Sequence, residues 1–155
     1  MPGSGAPGRE RWVMRFEVAA ILFDIDGTLV DSTAVVERSW RTWADGLPTP
    51  PVLIAAEDVR FGKPDPEGYL KAAAALGQDI AGCLVIEDAP AGVAAARTAG
   101  AQILAVATTH APSRLTTADA VIPDLTACRV SVRPQGLAVT IRSRTAGVRR
   151  DLFSD

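Results

Sequence analysis

Near the N-terminus a continuous apolar run leads straight into two aspartates, and this feature restricts the fold most strongly. Residues 18–23 read VAAILF, and the next five residues read DIDGT, with Asp24 and Asp26 two positions apart. A short apolar run without polar alternation is typical of a strand buried on both faces of a parallel sheet. Two carboxylates ~4 Å apart repel by roughly 4 kcal/mol at a surface-like dielectric, so they require a proton or a cation. The pattern therefore predicts a parallel sheet with a ligand site at the end of this strand.

The rest of the chain alternates strand and helix patterns. Further strands are predicted at residues 52–56, 83–86, 103–107 and 120–122. The segments EGYLKAAAAL and AGVAAARTAG predict helices that stop at Gly77 and Gly100, and a third helix is predicted after Ser32. The segment RVSVRPQGLAVTIR alternates on both sides of a turn and predicts a hairpin. We therefore expect an α/β fold, a Rossmann-like parallel sheet flanked by helices, with a C-terminal β-hairpin.

The chain length predicts one domain between two tails. With 155 residues the chain is long enough for one core and short for two. The Gly-, Pro- and Ser-rich start predicts a disordered tail over residues 1–15, and either Met1 or Met14 could be the natural start. The start also lacks the apolar stretch of a signal peptide. The core is expected at residues 16–142, followed by a basic and polar tail at residues 143–155.

Charge and cysteine content narrow the class of partner. The net charge is -2, which favours neither nucleic acid nor an anionic membrane surface. No apolar run approaches the ~18 residues of a membrane span. Cys83 and Cys128 have no metal-ligand spacing and are expected to be reduced, which predicts a cytoplasmic protein. A small or metal-bound ligand is the partner that these features favour.

A second pair of acids, Glu87 and Asp88, follows the apolar run at residues 83–86. The carboxyl ends of parallel strands meet at one edge of a sheet, where ligands of such folds bind. Oxygen ligands without nearby His or Cys select Mg²⁺ over zinc, and bound Mg²⁺ usually takes a phosphate oxygen. The alternative is a plain turn with solvated acids. Lys63 lies just before a predicted helix, where the helix dipole disfavours a cation, so it is expected to face an anion unless it is a surface lysine.

Three segments, FDIDGTLVDS, GKPDPEGYLKAAAALG and CLVIEDAPAGVAAARTAGAQILAVATTH, resemble the haloacid dehalogenase (HAD) superfamily and within it the sugar-phosphate phosphatases. The resemblance implies that Asp24 is a nucleophile that forms an aspartyl-phosphate. It implies that Asp26 is the acid and base for the leaving alcohol and the attacking water. Lys63 would neutralise charge on Asp24 and on the phosphoryl group.

The same resemblance implies the binding residues. Gly27, Thr28 and Lys63 would contact the substrate, a small phosphorylated metabolite. The cofactor would be Mg²⁺, held by Asp24, the Asp26 carbonyl oxygen and Asp88, with Glu87 in the outer shell or partly shared. The implied metal set is therefore Asp24, Asp26, Glu87 and Asp88.

The sequence departs from the family pattern between the first and second segments. RTWAD runs directly into GLPTPPVLIAAEDV, where relatives carry a cap domain and then a strand that ends in a phosphate-binding Ser or Thr. Thr108 and Thr109 end a predicted strand on the correct rim and are candidate substitutes, and His110 after them is interpreted as a bystander. Either residues 52–56 lie beside residues 18–23, or another chain, such as a second copy, covers the exposed edge.

Three hypotheses follow. The first is a cap-less, Mg²⁺-dependent hydrolase of small phosphate monoesters, weakened by the missing hydroxyl. The alternative is a non-catalytic relic that binds metal, a phosphorylated ligand or a partner chain. A phosphomutase is the weakest, because that chemistry needs a lid that excludes water. The substrate cannot be read from the sequence, since specificity in such enzymes lies mainly in the cap.

Overall fold

The computed structural model describes residues 11–24 and 52–143. Its strands and helices, in chain order, are β1 (Arg11–Val18), β2 (Ala20–Phe23), α1 (Glu67–Ala75), β3 (Cys83–Glu87), α2 (Pro90–Ala99), β4 (Gln102–Val106), β5 (Ala120–Ile122), β6 (Cys128–Arg133) and β7 (Gly136–Ser143). A four-stranded parallel sheet has the order β2-β3-β4-β5, and a three-stranded antiparallel sheet has the order β1-β7-β6. The predicted α/β class, both predicted helices of this region and the C-terminal hairpin are confirmed.

The parallel sheet is buried on both faces, as its apolar strands predict. Every residue of β3 is buried. One face packs against α1 and α2 through a cluster that includes Val85, Val93 and Ile103. The other face packs against the antiparallel sheet through Leu84 and Val139. Each fully buried Val, Leu or Ile side chain contributes roughly 1.5–3 kcal/mol of hydrophobic stabilisation.

The antiparallel sheet corrects two predictions at the N-terminal end. β1 begins at Arg11, so residues 11–15 belong to a strand and not to the predicted disordered tail. The predicted strand at residues 18–23 is divided, because β1 ends at Val18 and β2 begins at Ala20. Phe16 and Val18 are 4% and 5% exposed and pack under the parallel sheet. At the other end β7 extends to Ser143, one residue into the predicted C-terminal tail.

The predicted strand at residues 52–56 is wrong. Residues 52–55 have no regular structure, and a short 3₁₀ helix covers Ala56–Asp58. The Asp58 carboxylate accepts a hydrogen bond from the Ala55 amide at 2.8 Å and thereby favours the turn over a strand. In the described part of the chain β2 pairs only with β3, so residues 52–56 do not fill the sheet edge. That a second copy of the chain covers this edge stays a prediction.

Two further predictions concern other residues. The helix predicted after Ser32 lies outside the described residues. Over the ranges 11–24 and 52–143 the structure contains no helix that is long and apolar enough to cross a membrane.

Candidate active site

The ends of β2 and β3 bring three predicted acids together. Asp24 directly follows β2, and its amide continues the strand pairing by donating to the Ile86 carbonyl at 3.0 Å. Glu87 is the last residue of β3, and Asp88 follows it. One carboxylate oxygen from each of Asp24, Glu87 and Asp88 lies within 4.8 Å of the others. Parallel pairing in register produces this cluster, because neighbouring strands end at the same edge.

Three other predicted site residues, Asp26, Gly27 and Thr28, lie outside the described residues. Their catalytic, substrate-binding and metal-binding roles stay predictions.

Lys63 lies between two of the acids. Its Nζ contacts Asp24 Oδ1 and lies 2.6 Å from Glu87 Oε1. Burial opposes the charge on Lys63, but the hydrogen bonds to Asp24 and Glu87 outweigh it and raise the lysine pKa. Lys63 is therefore a cation held at the acidic edge of the sheet. It faces anionic groups, as its position before the helix predicted.

The loop before α1 is fixed by Glu67. Its Oε2 accepts hydrogen bonds from the amides of Arg60 at 2.8 Å and Phe61 at 3.1 Å, and its Oε1 pairs with Lys71 at 2.7 Å. The Lys71 ammonium and these amides lower the pKa of Glu67 to about 2. The first turn of the helix thus fastens the segment that presents Lys63.

Glu87 is held by four donors and is 2% exposed. Oε1 accepts from Lys63 and from the Tyr69 hydroxyl at 2.8 Å. Oε2 accepts from the amides of Asp88 at 2.9 Å and Ala89 at 3.0 Å. A carboxylate has about four lone-pair sites, so all of them are used within the protein. Glu87 therefore acts as an anchor for the site more than as a ligand.

The close approach of α2 to Glu87 requires a glycine. A Cβ added at Gly92 would lie 1.5 Å from Glu87 Oε1. Sequence reasoning missed both Gly92 and Tyr69. A glycine in the first turn of an otherwise alanine-rich helix was the available signal for the first, since glycine lowers helix stability unless packing requires it.

Asp88 is 1% exposed, and its two oxygens have different surroundings. Oδ2 accepts a hydrogen bond from Thr109 Oγ1 at 2.5 Å. Oδ1 is buried and has no hydrogen-bond partner among the described residues. His110 reaches the site, because its Nδ1 lies 3.2 Å from the Asp88 carbonyl oxygen and 2.9 Å from Thr109 Oγ1.

The electrostatics of the cluster favour a hard cation. Burial, with the charge of Glu87 acting in the same direction, raises the pKa of Asp24 to about 6 against the opposing effect of Lys63. Of the three carboxylates, Lys63 contacts Asp24 and Glu87, and all the potential ligand atoms of the cluster are oxygens. With the buried Asp88 Oδ1, this donor set fits a hard divalent cation.

Comparison with known proteins agrees with this arrangement. Residues 48–100, which include Lys63, Glu87 and Asp88, match the model of the haloacid dehalogenase-like hydrolase family. Hexitol phosphatase A of Escherichia coli (strain K12) is 42% identical over 91 residues, which are 59% of this chain and 42% of that protein. Over residues 48–100 the sequence is that of a haloacid dehalogenase-like hydrolase.

Two further relatives show what share of a longer protein this chain matches. Validoxylamine A 7'-phosphate phosphatase of Streptomyces hygroscopicus subsp. limoneus is 49% identical over 78 residues, which are 50% of this chain and 37% of that protein. A HAD hydrolase of family IA, variant 3, from Entamoeba histolytica HM-1:IMSS superposes with a TM-score of 0.51 at 26% identity and covers 60% of this chain and 44% of its own. The chain thus spans about two-fifths of the length of the curated relatives. No cap domain is present among its described residues.

Proposed function

We propose that this HAD chain is a cytoplasmic, Mg²⁺-dependent hydrolase of small, sugar-phosphate-like monoesters that acts through an aspartyl-phosphate. The observation that carries the proposal is the position of Lys63, whose ammonium contacts Asp24 and Glu87 beside the buried Asp88 carboxylate. Two free cysteines, Cys83 and Cys128, agree with a reducing compartment.

Asp24 is the proposed nucleophile. Its pKa of about 6 leaves it largely ionised at neutral pH. A carboxylate oxygen of Asp24 would form a bond to phosphorus while the bond from phosphorus to the ester oxygen breaks. Water would then attack the aspartyl-phosphate, which releases phosphate and restores the Asp24 carboxylate.

Asp26 is the proposed proton donor to the leaving alcohol and the proposed base for the water. This assignment rests on its position two residues after Asp24, where the family resemblance puts it.

Lys63 supplies positive charge where negative charge accumulates. The phosphoryl oxygens in transfer carry charge that a preorganised cation stabilises without reorganisation. Because the loop is fastened by Glu67 and the ammonium is anchored on Glu87, Lys63 is held in place before the substrate arrives.

Asp24 and Asp88 are the proposed side-chain ligands of the cation, together with the Asp26 carbonyl oxygen. Glu87 belongs to the outer shell, because its four acceptor sites already have donors. When bound, Mg²⁺ would offset the mutual repulsion of the acids and of the phosphate.

The substrate class is inferred from the relatives. The named relatives are phosphatases of a hexitol phosphate and of validoxylamine A 7'-phosphate. We therefore assign a small polyol or sugar phosphate as the substrate class of this chain.

A second candidate, a non-catalytic protein that binds metal or a phosphorylated ligand, is favoured by one observation. Thr109, which could replace the missing phosphate-binding hydroxyl, donates its proton to Asp88 instead. Within the described residues the phosphate site therefore lacks this donor.

The two candidates are separated by phosphate release from p-nitrophenyl phosphate and from a panel of hexitol phosphates, with Mg²⁺ and with EDTA. The enzyme hypothesis expects release that needs Mg²⁺ and that Asp24→Asn abolishes. Folded protein that binds Mg²⁺ without releasing phosphate would support the second candidate.

A further inference from the structure

Asp88 is oriented by a contact from the neighbouring strand. β3 and β4 run parallel, so the residues after β4 reach the same edge as Asp88. Thr109 lies there, three residues beyond Val106, and its Oγ1 is 2.5 Å from Asp88 Oδ2 and 3.4 Å from the Asp88 carbonyl oxygen. The same hydroxyl therefore contacts both the side chain and the backbone of one acid.

His110 supports this orientation. With its proton on Nδ1, the ring donates to Thr109 Oγ1 at 2.9 Å and stays within 3.2 Å of the Asp88 carbonyl oxygen. The hydroxyl then accepts from His110, and its single proton is directed to Asp88 Oδ2.

An aspartate carboxylate needs such a contact to have a unique orientation. The terminal torsion of Asp is broad and roughly two-fold, so its two oxygens exchange places easily. Thr109 makes them different, because it holds Oδ2 and leaves the buried Oδ1 without a donor from the described residues. A buried carboxylate oxygen of this kind is costly unless a cation or a donor meets it.

We propose that Thr109 is a positioning residue that fixes the Asp88 carboxylate so that Oδ1 is available to a divalent cation. The inference rests on the proposed metal site and adds a residue to it. Hydrogen-bond partners of ligating carboxylates raise metal affinity by holding the ligand in one geometry. The role differs from the one that the sequence indicated for Thr109, which was a phosphate donor.

Binding of Mn²⁺ to the full chain, followed by the electron paramagnetic resonance signal of free Mn²⁺, tests the proposal without turnover. Thr109→Val removes the hydroxyl and keeps the shape, and we expect Mn²⁺ affinity to fall about 10- to 100-fold. Thr109→Ser keeps the hydroxyl and should bind nearly as well as the unmodified chain. Thr116→Val is the matched control, because Thr116 is exposed, lies outside the candidate site and has no hydrogen bond among the described residues, so Mn²⁺ affinity should not change.

The Mn²⁺ affinities of the variants decide whether Thr109 positions Asp88. Thr109→Val also removes a donor to a buried carboxylate, so the thermal unfolding temperature is measured alongside and Mn²⁺ affinity is compared at a temperature where every variant is folded. Equal Mn²⁺ affinity of Thr109→Val and the unmodified chain would overturn the positioning role, as would Thr109→Ser binding as weakly as Thr109→Val. An unmodified chain that does not bind Mn²⁺ overturns the metal site and this inference together. Binding with the expected order of variants but no phosphate release keeps the inference and removes only the proposed catalysis.

Discussion

The Tyr69 hydroxyl donates a 2.8 Å hydrogen bond to Glu87 Oε1, the oxygen that also accepts from Lys63. The centroid of the Tyr69 ring lies 5.4 Å from the Lys63 Nζ, close enough for a cation–π contact. Burial, then the negative charge of Glu87, raises the pKa of the tyrosine, so it stays a donor at any working pH. Tyr69 thus contacts and stabilises both members of the ion pair between Lys63 and Glu87.

Tyr69→Phe keeps the ring and removes one donor to a buried carboxylate. We expect the free energy of unfolding to fall by about 1.5–3 kcal/mol, as is usual for hydrogen bonds to charged groups. Urea denaturation at pH 7.5 measures it. An unchanged midpoint would mean that Glu87 does not depend on this donor.

Gly92→Ala tests the close contact between α2 and Glu87. The added Cβ would lie 1.5 Å from Glu87 Oε1, so Glu87 must move. We expect a loss of about 1–3 kcal/mol from overpacking, together with weaker Mn²⁺ binding. Gly68→Ala in α1 is the matched control: its Cβ would meet only Val59 Cγ1, at 3.7 Å, an ordinary contact, so the free energy of unfolding should not fall. Equal effects of the two substitutions would contradict this account.

Lys63→Met tests the fixed cation. We expect phosphate release to fall by about 10²–10³-fold, the usual loss when one preorganised electrostatic group is removed from a transition state. Lys71→Met, which changes the chain's other lysine, is the control and should retain most activity, because Lys71 pairs with Glu67 and not with the acid cluster. Comparable losses of activity in both variants would indicate that Lys63 acts through the net charge of the protein and not through its position in the site.

Apolar runs in the sequence predicted the strands that are buried on both faces of the sheet. The runs at residues 83–86 and 103–107 are apolar because β3 and β4 are buried on both faces. The run at residues 52–56 is equally apolar, yet the Asp58 side chain favours a 3₁₀ turn there. β1 was missed because charged Arg15 and Glu17 alternate with its buried residues, a two-residue period that the Gly- and Pro-rich start obscured.

The acids of the candidate site could be predicted from the sequence because they follow predicted strands, but their hydrogen-bond partners could not. Asp24, Glu87 and Asp88 follow apolar runs, so their meeting at one edge could be foreseen. The contacts of Glu87 with Tyr69 and of Asp88 with Thr109 join residues 18 and 21 positions apart in sequence. Such long-range contacts leave no repeating pattern in the sequence. They become visible only in the folded structure, where α1 and the end of β4 meet the end of β3.

The raised pKa of Asp24 predicts how metal-free protein responds to pH. The folded pKa is about 6 against an ordinary value of 3.8, so the folded state binds a proton more tightly than the unfolded state does. This contribution to stability is complete below about pH 4 and is lost as pH rises through 6. Asp24→Asn removes this contribution.

In EDTA, the stability of Asp24→Asn relative to the unmodified chain should therefore rise by about 1 kcal/mol between pH 5 and pH 7.5. Glu57→Gln, which alters an exposed acid outside the cluster, is the matched control. Urea unfolding at both pH values measures the change, and a relative stability of Asp24→Asn that stays flat or falls would show that Lys63 already compensates the charge of Asp24.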